Sequence, residues 1–331
     1  MTPGPSPRAC DRMKLIVQIP CLDEAETLPL TLAELPRRVP GFDAVEWLVI
    51  DDGSADGTAE VARRHGVDHV VRLPVTGGLA NAFQAGLDTA LKLGADVIVN
   101  TDGDNQYAGA DVARLVAPIV AGAADVVLGD RRLASDPAIP AVKRRLARLG
   151  ARVARRAWRA NVADPASGFR AYSREAALQL QVVTDFTYTL ESLVQAARAP
   201  IALAQVPVRT NPGTRPSRLF SSPWVYVRRN ATALLRVYSH YEPRRVFWAA
   251  ALALLVAALA AAVWSLLLGA VLLNAALVAF GLGVLGDVLH SHRVLTQRTL
   301  ERVRRIELAV GVAPARHEGA QAAPERLRER A

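Results

Sequence analysis

The sequence contains one acidic segment that reads Asn100-Thr101-Asp102-Gly103-Asp104-Asn105-Gln106-Tyr107. This segment follows directly on the run 96–99, which is typical of a buried strand. Carboxylates at positions i and i+2 on a glycine-containing loop can converge on one hard cation, and the amide oxygen of Gln106 could complete the ligand set. The same residues would also suit an acidic loop that caps a helix beginning near Gly109. The segment alone leaves a Mg²⁺ or Mn²⁺ site and a helix cap both open.

Strands and helices alternate along the N-terminal two thirds of the chain. The pattern predicts strands at residues 14–19, 47–50, 69–73, 96–99 and 125–129, with helices at 24–35, 58–65 and 79–93. Such alternation predicts an α/β fold, a Rossmann-like parallel sheet with helices on both faces, in which ligands bind at the carboxyl ends of the strands. Acidic loops follow the first, second and fourth strands. One shared site for a metal and an anionic ligand is therefore favoured over three independent helix caps.

Two common phosphate-binding motifs are missing from the sequence. The first strand is not followed by Gly-x-Gly-x-x-Gly, so the dinucleotide-binding fingerprint is absent, and there is no Gly-Lys-Ser/Thr P-loop. Phosphate groups are therefore expected to be held by a metal ion and basic side chains rather than by a glycine loop.

Composition and charge limit the kinds of molecule that the protein is expected to bind. The chain of 331 residues carries a net charge of +9, which favours nucleic acid, an acidic membrane surface or a phosphorylated substrate. Aromatic residues make up only 5%, and basic residues cluster beside apolar segments, so the sequence predicts a membrane or phosphate partner and no nucleic acid. Cys10 and Cys21 form no disulfide framework, which fits a reducing compartment. Residues 1–13 are expected to form a disordered tail, with no signal peptide.

The C-terminal part of the chain predicts a membrane anchor. No charged residue occurs between Val246 and Gly286, and this run is too long for one crossing of about 20 residues. Residues 244–290 are therefore predicted to form two transmembrane helices with a turn near 264–269. Basic residues flank both ends of this hairpin, which predicts that the N-terminal domain and both termini lie on the cytoplasmic side. The alternative is a buried helical pair in a soluble protein. Residues 291–331 are predicted to form a charged cytoplasmic helix and a disordered tail beyond Ala313.

Two further segments have the character of helices at a membrane surface. A strongly basic helix is predicted at residues 143–159, and residues 220–243 combine Trp and Tyr with apolar residues at helical spacing. Both are interpreted as amphipathic interface helices on anionic lipid, with a solvated basic face as the alternative.

The chain also resembles a known family. Its motifs are similar, in order, to those of family 2 glycosyltransferases: Pro20-x-x-Asp23-Glu24, Val49-Ile50-Asp51-Asp52-Gly53-Ser54-x-Asp56-Gly57-Thr58, Gly78-Leu79 and Asp102-x-Asp104-x-Gln106. The segment Asp164-Pro165-Ala166-Ser167-Gly168-Phe169-Arg170 resembles a motif of the dolichol-phosphate mannose synthase branch, which transfers a sugar from a nucleotide donor to a polyprenyl phosphate. The resemblance covers residues 14–219 and implies a GT-A-type domain there.

The resemblance implies a role for each matching residue. The residues expected to bind the nucleotide sugar, with Asp51 or Asp52 reading the base, are Pro20, Asp23, Glu24, Asp51, Asp52, Gly78, Asp102 and Gly103. The metal ligands are expected to be Asp102, Asp104 and Gln106, and catalysis is expected to depend on Asp104, Arg131 and Arg170. The acceptor phosphate is expected to contact Arg170, Arg215, Ser217 and Arg218, because arginine matches phosphate geometry in a bidentate way.

These observations together predict a membrane-anchored, metal-dependent, inverting glycosyltransferase that moves one hexose from a UDP- or GDP-linked donor to a polyprenyl phosphate. Two alternatives differ from this. A processive polysaccharide synthase would carry Gln-x-x-Arg-Trp, whereas Gln195-Ala196-Ala197-Arg198 is followed here by Ala199. A membrane scaffold without activity would not need the acidic motifs. The sequence leaves the donor base, the sugar and a homo-oligomer open.

Overall fold

The computed structural model describes residues 13–133, 144–145, 148–152, 155, 162–182, 188–212, 239, 242–314 and 317–319. The chain divides into two compact units. The first unit comprises Met1–Arg218 and Arg304–Ala331, and the second comprises Leu219–Val303. The described residues 304–314 and 317–319 therefore belong to the same unit as the N-terminal domain.

The first unit alternates strands and helices, as the sequence predicts. Its strands are β1 Lys14–Cys21, β2 Ala44–Asp51, β3 His69–Arg72, β4 Val97–Asn100, β5 Val126–Asp130, β6 Arg170–Ser173, β7 Leu203–Pro207 and β8 His317–Gly319. Its helices are α1 Leu28–Glu34, α2 Thr58–Arg64, α3 Leu79–Lys92, α4 Val112–Val120, α5 Arg174–Gln179 and α6 Tyr188–Arg198, with a 3₁₀ turn at Gly109–Asp111 before α4. The five strands and three helices predicted from the sequence are confirmed, with ends shifted by a few residues.

The strands form one mixed sheet in the order β7-β5-β6-β4-β1-β2-β3-β8. Parallel pairing joins β4, β1, β2 and β3, and also β5 and β7. The predicted parallel-sheet fold is confirmed, with antiparallel pairing at two strands. Strand β6 runs antiparallel between β4 and β5, and β8 pairs antiparallel with β3. A disordered tail beyond Ala313 is accordingly not observed at residues 317–319.

Alternating side chains of β1 face two different layers of helix. Leu15, Val17 and Ile19 join a buried cluster with side chains of α1 and α4. On the other face Gln18 donates to the carbonyl oxygen of Phe83 in α3, 3.5 Å away. Strands that are buried on both faces must carry apolar residues almost continuously, and β1 and β2 do so. The helices thus cover the sheet on both sides and leave its strand ends for loops.

The second unit contains the whole of one apolar helix predicted from the sequence, and the other helix as far as Val303. These are α7 Pro243–Ala262 and α8 Leu266–Val310, and both are long and apolar enough to cross a membrane. Only 11% and 17% of their most apolar windows are buried, unlike the core helices of a soluble protein. Glycines of α8 let α7 approach closely: a Cβ on Gly283 would lie 2.5 Å from Trp248 Cδ1, and one on Gly286 2.5 Å from Pro243 Cβ.

The structure changes two expectations about the helices outside the sheet. The charged helix expected after the hairpin is the end of α8 itself, which continues without a break for 45 residues. The interface helix predicted at 220–243 and the basic helix predicted at 143–159 lie mostly outside the described residues.

Replacement of Gly109 by alanine is expected to destabilise the first unit. A Cβ at this position would lie 2.5 Å from the carbonyl oxygen of Glu34, at the end of α1. Because that contact is with backbone, we expect the free energy of unfolding to fall by about 1–3 kcal/mol. Chemical denaturation followed by circular dichroism would measure the change. In the control, Gly150→Ala, the nearest atom is 3.9 Å away. Equal stability of the two variants would contradict the close packing.

Candidate active site

The loops that follow the parallel strands meet at one edge of the sheet. Strands β1, β2, β3 and β4 run in the same direction, so the segments after them all leave at their carboxyl ends. These segments carry most of the acidic residues that the sequence motifs identified. The prediction that the motifs share one edge of the sheet is therefore confirmed.

Asp52 organises the loop that opens α3. Its Oδ1 accepts a hydrogen bond from the backbone N–H of Gly77 and its Oδ2 from that of Gly78, both at 2.8 Å. The side chain is only 2% exposed. Gly78 has a φ of +87°, a conformation that favours glycine. Asp52 thus holds a glycine turn in place with both oxygens.

Asp51 is also turned into the protein. Its Oδ1 accepts from the backbone N–H of Ser54 at 2.9 Å, and its Oδ2 lies 3.5 Å from Nε of Arg72. With a side chain that is 1% exposed, Asp51 fixes the turn after β2. Asp51 Oδ2 accepts no hydrogen bond among the described residues, and contact of Asp51 or Asp52 with a nucleobase stays a prediction.

The loop after β1 is tied to the loop after β2. The backbone N–H of Asp23 donates to Ser54 Oγ, and Asp23 Oδ1 accepts from the N–H of Ala55, both at 2.9 Å. The N–H of Glu24 donates to Thr58 Oγ1 at 3.0 Å. Pro20 pairs in register with Ile50 between β1 and β2. The predicted nucleotide-binding residues of both loops therefore belong to one connected surface.

The Asp-x-Asp loop lies beside this surface. Gln106 donates to Asp104 through its backbone N–H at 3.2 Å and through its side-chain amide at 2.8 Å. The carbonyl oxygen of Gly103 accepts from Thr31 of α1 at 3.1 Å. A Cβ on Gly103 would be 2.9 Å from the sulfur of Cys21, so the loop packs directly on the end of β1. These contacts bring Asp104 and Gln106 together, as predicted.

The carboxylate of Asp102 is held in an unfavourable charge environment. Burial and the negative charge of Asp104 raise its pKa from 3.8 to about 7, against the opposing charges of Arg131 and Arg170. A Cβ on Gly168 would lie 3.0 and 3.1 Å from the two Asp102 oxygens, so only glycine fits against the carboxylate. Two carboxylates that repel each other in a partly buried loop suit a divalent cation.

The donor set is small for a metal site. Among the described residues, no group of three or more His, Cys, Asp or Glu side chains has the arrangement of a metal centre. Asp102, Asp104 and the oxygen of Gln106 would be a sparse set, and Mg²⁺ and Mn²⁺ commonly complete their coordination with water and substrate phosphates. The residues present therefore fit a cation that is shared with a phosphorylated ligand.

Arg131 forms a bidentate ion pair at this edge. Its Nε lies 2.7 Å from Asp164 Oδ2, and its Nη2 lies 3.1 Å from Asp164 Oδ1. The guanidinium carbon is 6.0 Å from the ring centre of Tyr107, and the side chain is 15% exposed. Asp164, the first residue of the later motif, thus orients an arginine next to the Asp-x-Asp loop.

Arg170 has a different place from the one expected. It is 1% exposed, and its guanidinium donates to the carbonyl oxygens of Ser167, Thr189 and Pro165 at 2.7–2.8 Å and to Ser192 Oγ at 3.0 Å. A guanidinium whose three nitrogens all donate to protein oxygens does not offer a bidentate fork to a phosphate. Arg170 instead connects the 164–169 loop to α6, and the prediction that it binds a phosphate conflicts with these contacts.

The sequence reasoning missed a buried polar network beneath the loop. Gln18 donates to Asn100 at 2.9 Å, and the Asn100 amide donates to the carbonyl oxygen of Gly168 at 2.9 Å and to the hydroxyl of Tyr188 at 3.0 Å. The hydroxyl of Tyr107 accepts from the Gly168 N–H at 3.0 Å. Burial raises the pKa of Tyr107 to about 12, so this phenol stays neutral. Asn100 and Tyr107 lie at the two ends of the acidic motif, and this position in the sequence could have pointed to them. No sequence signal identified Tyr188.

Three predicted residues for the acceptor phosphate lie outside the described residues. They are Arg215, Ser217 and Arg218. The structure therefore describes only the part of the candidate site that is expected to hold the metal and the nucleotide. The role of the three acceptor-phosphate residues remains a prediction.

Comparison with known proteins identifies the family. The sequence-family model described as "Glycosyl transferase family 2" matches residues 16–180 of this chain. Undecaprenyl-phosphate mannosyltransferase of Micrococcus luteus is 29% identical over 206 residues, which cover 59% of this chain and 83% of that protein. An uncharacterized glycosyltransferase of Mycobacterium bovis is 37% identical over 204 residues, covering 60% of this chain and 85% of that protein.

A solved structure shares the fold. Glucosyl-3-phosphoglycerate synthase from Mycobacterium tuberculosis, in complex with Mn²⁺, uridine diphosphate and phosphoglyceric acid, has a TM-score of 0.52 and 25% sequence identity. The likeness covers 69% of this chain and 79% of that one. With the motifs, the mixed sheet and these relatives in agreement, the chain belongs to glycosyl transferase family 2.

Proposed function

We propose that this glycosyltransferase moves one hexose from a UDP- or GDP-linked donor to a polyprenyl phosphate, with inversion and with Mg²⁺ or Mn²⁺. The observation that carries the proposal is the repelling pair Asp102 and Asp104 at the sheet edge of a family 2 chain that also has two apolar helices. The Micrococcus luteus relative is named for transfer to undecaprenyl phosphate, which supports a lipid phosphate as acceptor.

In this proposal Asp102, Asp104 and Gln106 hold the divalent cation. The cation, when bound, supplies positive charge to the departing nucleoside diphosphate. The surface that borders the nucleotide includes Asp23, Glu24, Gly78 and Gly103. Asp51 and Asp52 fix the turns of the loops that form this surface. Arg131 is proposed to stabilise developing phosphate charge while Asp164 sets its orientation.

A polyprenyl phosphate acceptor does not need strong general-base catalysis from the protein. A phosphate monoester oxygen is already anionic, so it can attack the anomeric carbon without a strong general base, as the bond from that carbon to the diphosphate breaks. A single displacement of this kind inverts the anomeric configuration. Arg215, Ser217 and Arg218 are proposed to hold the acceptor phosphate.

The apolar helices are proposed to form a membrane hairpin that brings a lipid phosphate within reach. Large apolar side chains project outward from both helices, with Leu259 66% and Leu267 78% exposed. Arg244 at the start of α7 lies 3.9 Å from Asp287 of α8, so the two ends of the hairpin are paired by charge. Basic residues at both ends favour the inner face of an anionic cytoplasmic membrane for the catalytic domain and both termini.

One contact argues against the processive alternative. Gln195, which would open a Gln-x-x-Arg-Trp motif, donates to the carbonyl oxygen of Gln181 at 2.6 Å and accepts from its N–H at 2.9 Å. That glutamine is thus part of the scaffold. The scaffold-only alternative is separated from catalysis by the first experiment below.

Replacement of Asp104 by asparagine is expected to abolish transfer without unfolding the protein. Loss of one ligand charge should lower kcat/KM by at least about 100-fold, roughly 3 kcal/mol. The assay is transfer of labelled hexose from UDP- and GDP-sugars to polyprenyl phosphate with Mn²⁺. The control is Asp43→Asn, an exposed carboxylate before β2 at the opposite edge of the sheet, which should retain activity. Full activity of the Asp104 variant in excess EDTA would refute a cation at this loop.

Replacement of Asp102 by asparagine is expected to stabilise the metal-free protein at pH 8. Because the folded-state pKa of about 7 lies above the ordinary 3.8, the folded protein binds this proton more tightly than the unfolded chain. Stability of the metal-free wild type should therefore fall as the pH rises from 4 to 7, and the variant should lack this dependence and gain about 1–3 kcal/mol at pH 8. Thermal unfolding at several pH values, with EDTA, provides the measurement. A variant less stable than wild type at pH 8 would contradict the charge repulsion.

The topology of the hairpin can be tested by labelling. A reporter fused after Ala331 is expected to be accessible from the cytoplasmic side, and a cysteine at Val263, between α7 and α8, from the opposite side. Accessibility of the C-terminal reporter only from outside the cytoplasm would mean an odd number of crossings. Labelling of both positions from the cytoplasm would mean that the helices do not cross.

A further inference from the structure

The last residues of α8, from Arg304 on, belong to the first unit and form ion pairs there with α3 and α5. Arg304 Nη2 lies 2.8 Å from Asp88 Oδ1 of α3, Arg305 Nη2 lies 2.7 Å from Glu175 Oε2 of α5, and Glu307 Oε2 lies 3.0 Å from Nζ of Lys92. The Arg305 pair is 42% and 60% exposed and is of the kind that adds little to stability. Arg304, at 12% exposure, is the buried member of this set.

Arg304 also caps the end of α5. Its Nη1 donates to the carbonyl oxygens of Leu180 at 2.8 Å and Leu178 at 3.3 Å, and its Nη2 donates to the side-chain oxygen of Gln181. The last carbonyls of a helix have no partner within the helix and carry partial negative charge, so a guanidinium is well matched to them. One side chain of α8 therefore fixes the backbone that leaves α5.

The same short segment is held on its other sides by two glutamines. Gln84 accepts from the N–H of Val182 at 2.8 Å and donates to Asp88 at 3.1 Å, so it shares that carboxylate with Arg304. Gln195 of α6 exchanges two hydrogen bonds with the backbone of Gln181, at 2.6 and 2.9 Å. The segment 180–182 is thus the point at which α3, α6 and α8 are joined.

Helix α6 leads directly to the candidate active site. Its Tyr188 hydroxyl accepts from Asn100 at 3.0 Å and would lie 2.7 Å from a Cβ on Gly168, the residue that abuts Asp102. Its Ser192 Oγ accepts from Arg170 at 3.0 Å. A displacement of α6 would therefore be passed to both the 164–169 loop and the floor of the Asp-x-Asp loop.

We infer that Arg304 is a positioning residue, through which the end of α8 sets the place of α6 and hence the geometry around Asp102. The path is a continuous series of hydrogen bonds from Arg304 to Gln181, from Gln181 to Gln195, and along α6 to Tyr188 and Ser192. Activity then depends on how the end of α8 packs within the first unit. This inference rests on the proposed function only for its kinetic measurement.

The test compares Arg304→Ala and Arg304→Lys with the matched control Arg305→Ala in the full chain. We expect Arg304→Ala to lower kcat about tenfold with little change in the KM for the nucleotide sugar, because the site is misplaced and the nucleotide loops are untouched. Arg304→Lys should recover part of that loss, since an ammonium can pair with Asp88 but cannot reach both carbonyls and Gln181 together. Arg305→Ala should behave as wild type.

Hydrogen exchange without any ligand supplies a second readout. Arg304→Ala should increase exchange locally, at the amides of Gln181, Val182 and Gly168, while the β1 and β2 amides stay protected. Kinetics and exchange equal to those of Arg305→Ala would overturn the inference. A uniform rise in exchange across the sheet would overturn it too, because Arg304 would then act on global stability. If the wild type transfers no sugar, the proposed function fails, and the exchange pattern still decides the role of Arg304.

Discussion

Repulsion between the carboxylates of Asp102 and Asp104 is the constraint around which the described part of the site is built. Asp102 titrates near pH 7 because it is buried and lies beside another negative charge. The charges of Arg131 and Arg170 lower the pKa of Asp102 only in part. Arg131 is itself paired with Asp164, and Arg170 is bound to backbone oxygens. The described residues thus concentrate negative charge at the carboxyl edge of the sheet. This concentration of carboxylates is the environment that the proposed divalent cation requires.

Several charged residues of the motifs serve the backbone rather than a ligand. Asp52 binds two glycine amides, Asp51 binds the turn after β2, and Arg170 binds three carbonyl oxygens. A charge-assisted hydrogen bond to a fixed backbone group holds a loop more firmly than a neutral one does. The loops that surround the cation position are irregular, so they need such internal partners to keep one conformation. Motif residues of this kind hold the loops of the candidate site in one conformation.

The sequence predicted the elements whose signal is periodic and local. Strands β1 to β5 and helices α1 to α3 are runs of apolar residues with clear ends, and their order predicted which loops share an edge. It did not predict β6, because residues 170–173 are few and contain the charged Arg170. The partners of Arg170 and Asp52 were also out of reach, since they depend on which backbone groups face the side chain. A charged helix after the hairpin was predicted, but the ion pairs of the charged end of α8 with α3 and α5 were not.

The strand β8 has a consequence for the way the protein is made. Val71, Val70 and His69 of β3 pair with residues 317–319, which follow the whole of the apolar hairpin in the sequence. During synthesis on the ribosome, the nascent sheet therefore presents β3 as an open edge until α8 has emerged. Unpaired N–H and C=O groups at such an edge can bind any extended chain nearby. Pairing of β8 with β3 is thus a late event in biosynthesis. A chain whose synthesis stops between α7 and α8 is left with β3 as an unpaired edge strand that can aggregate.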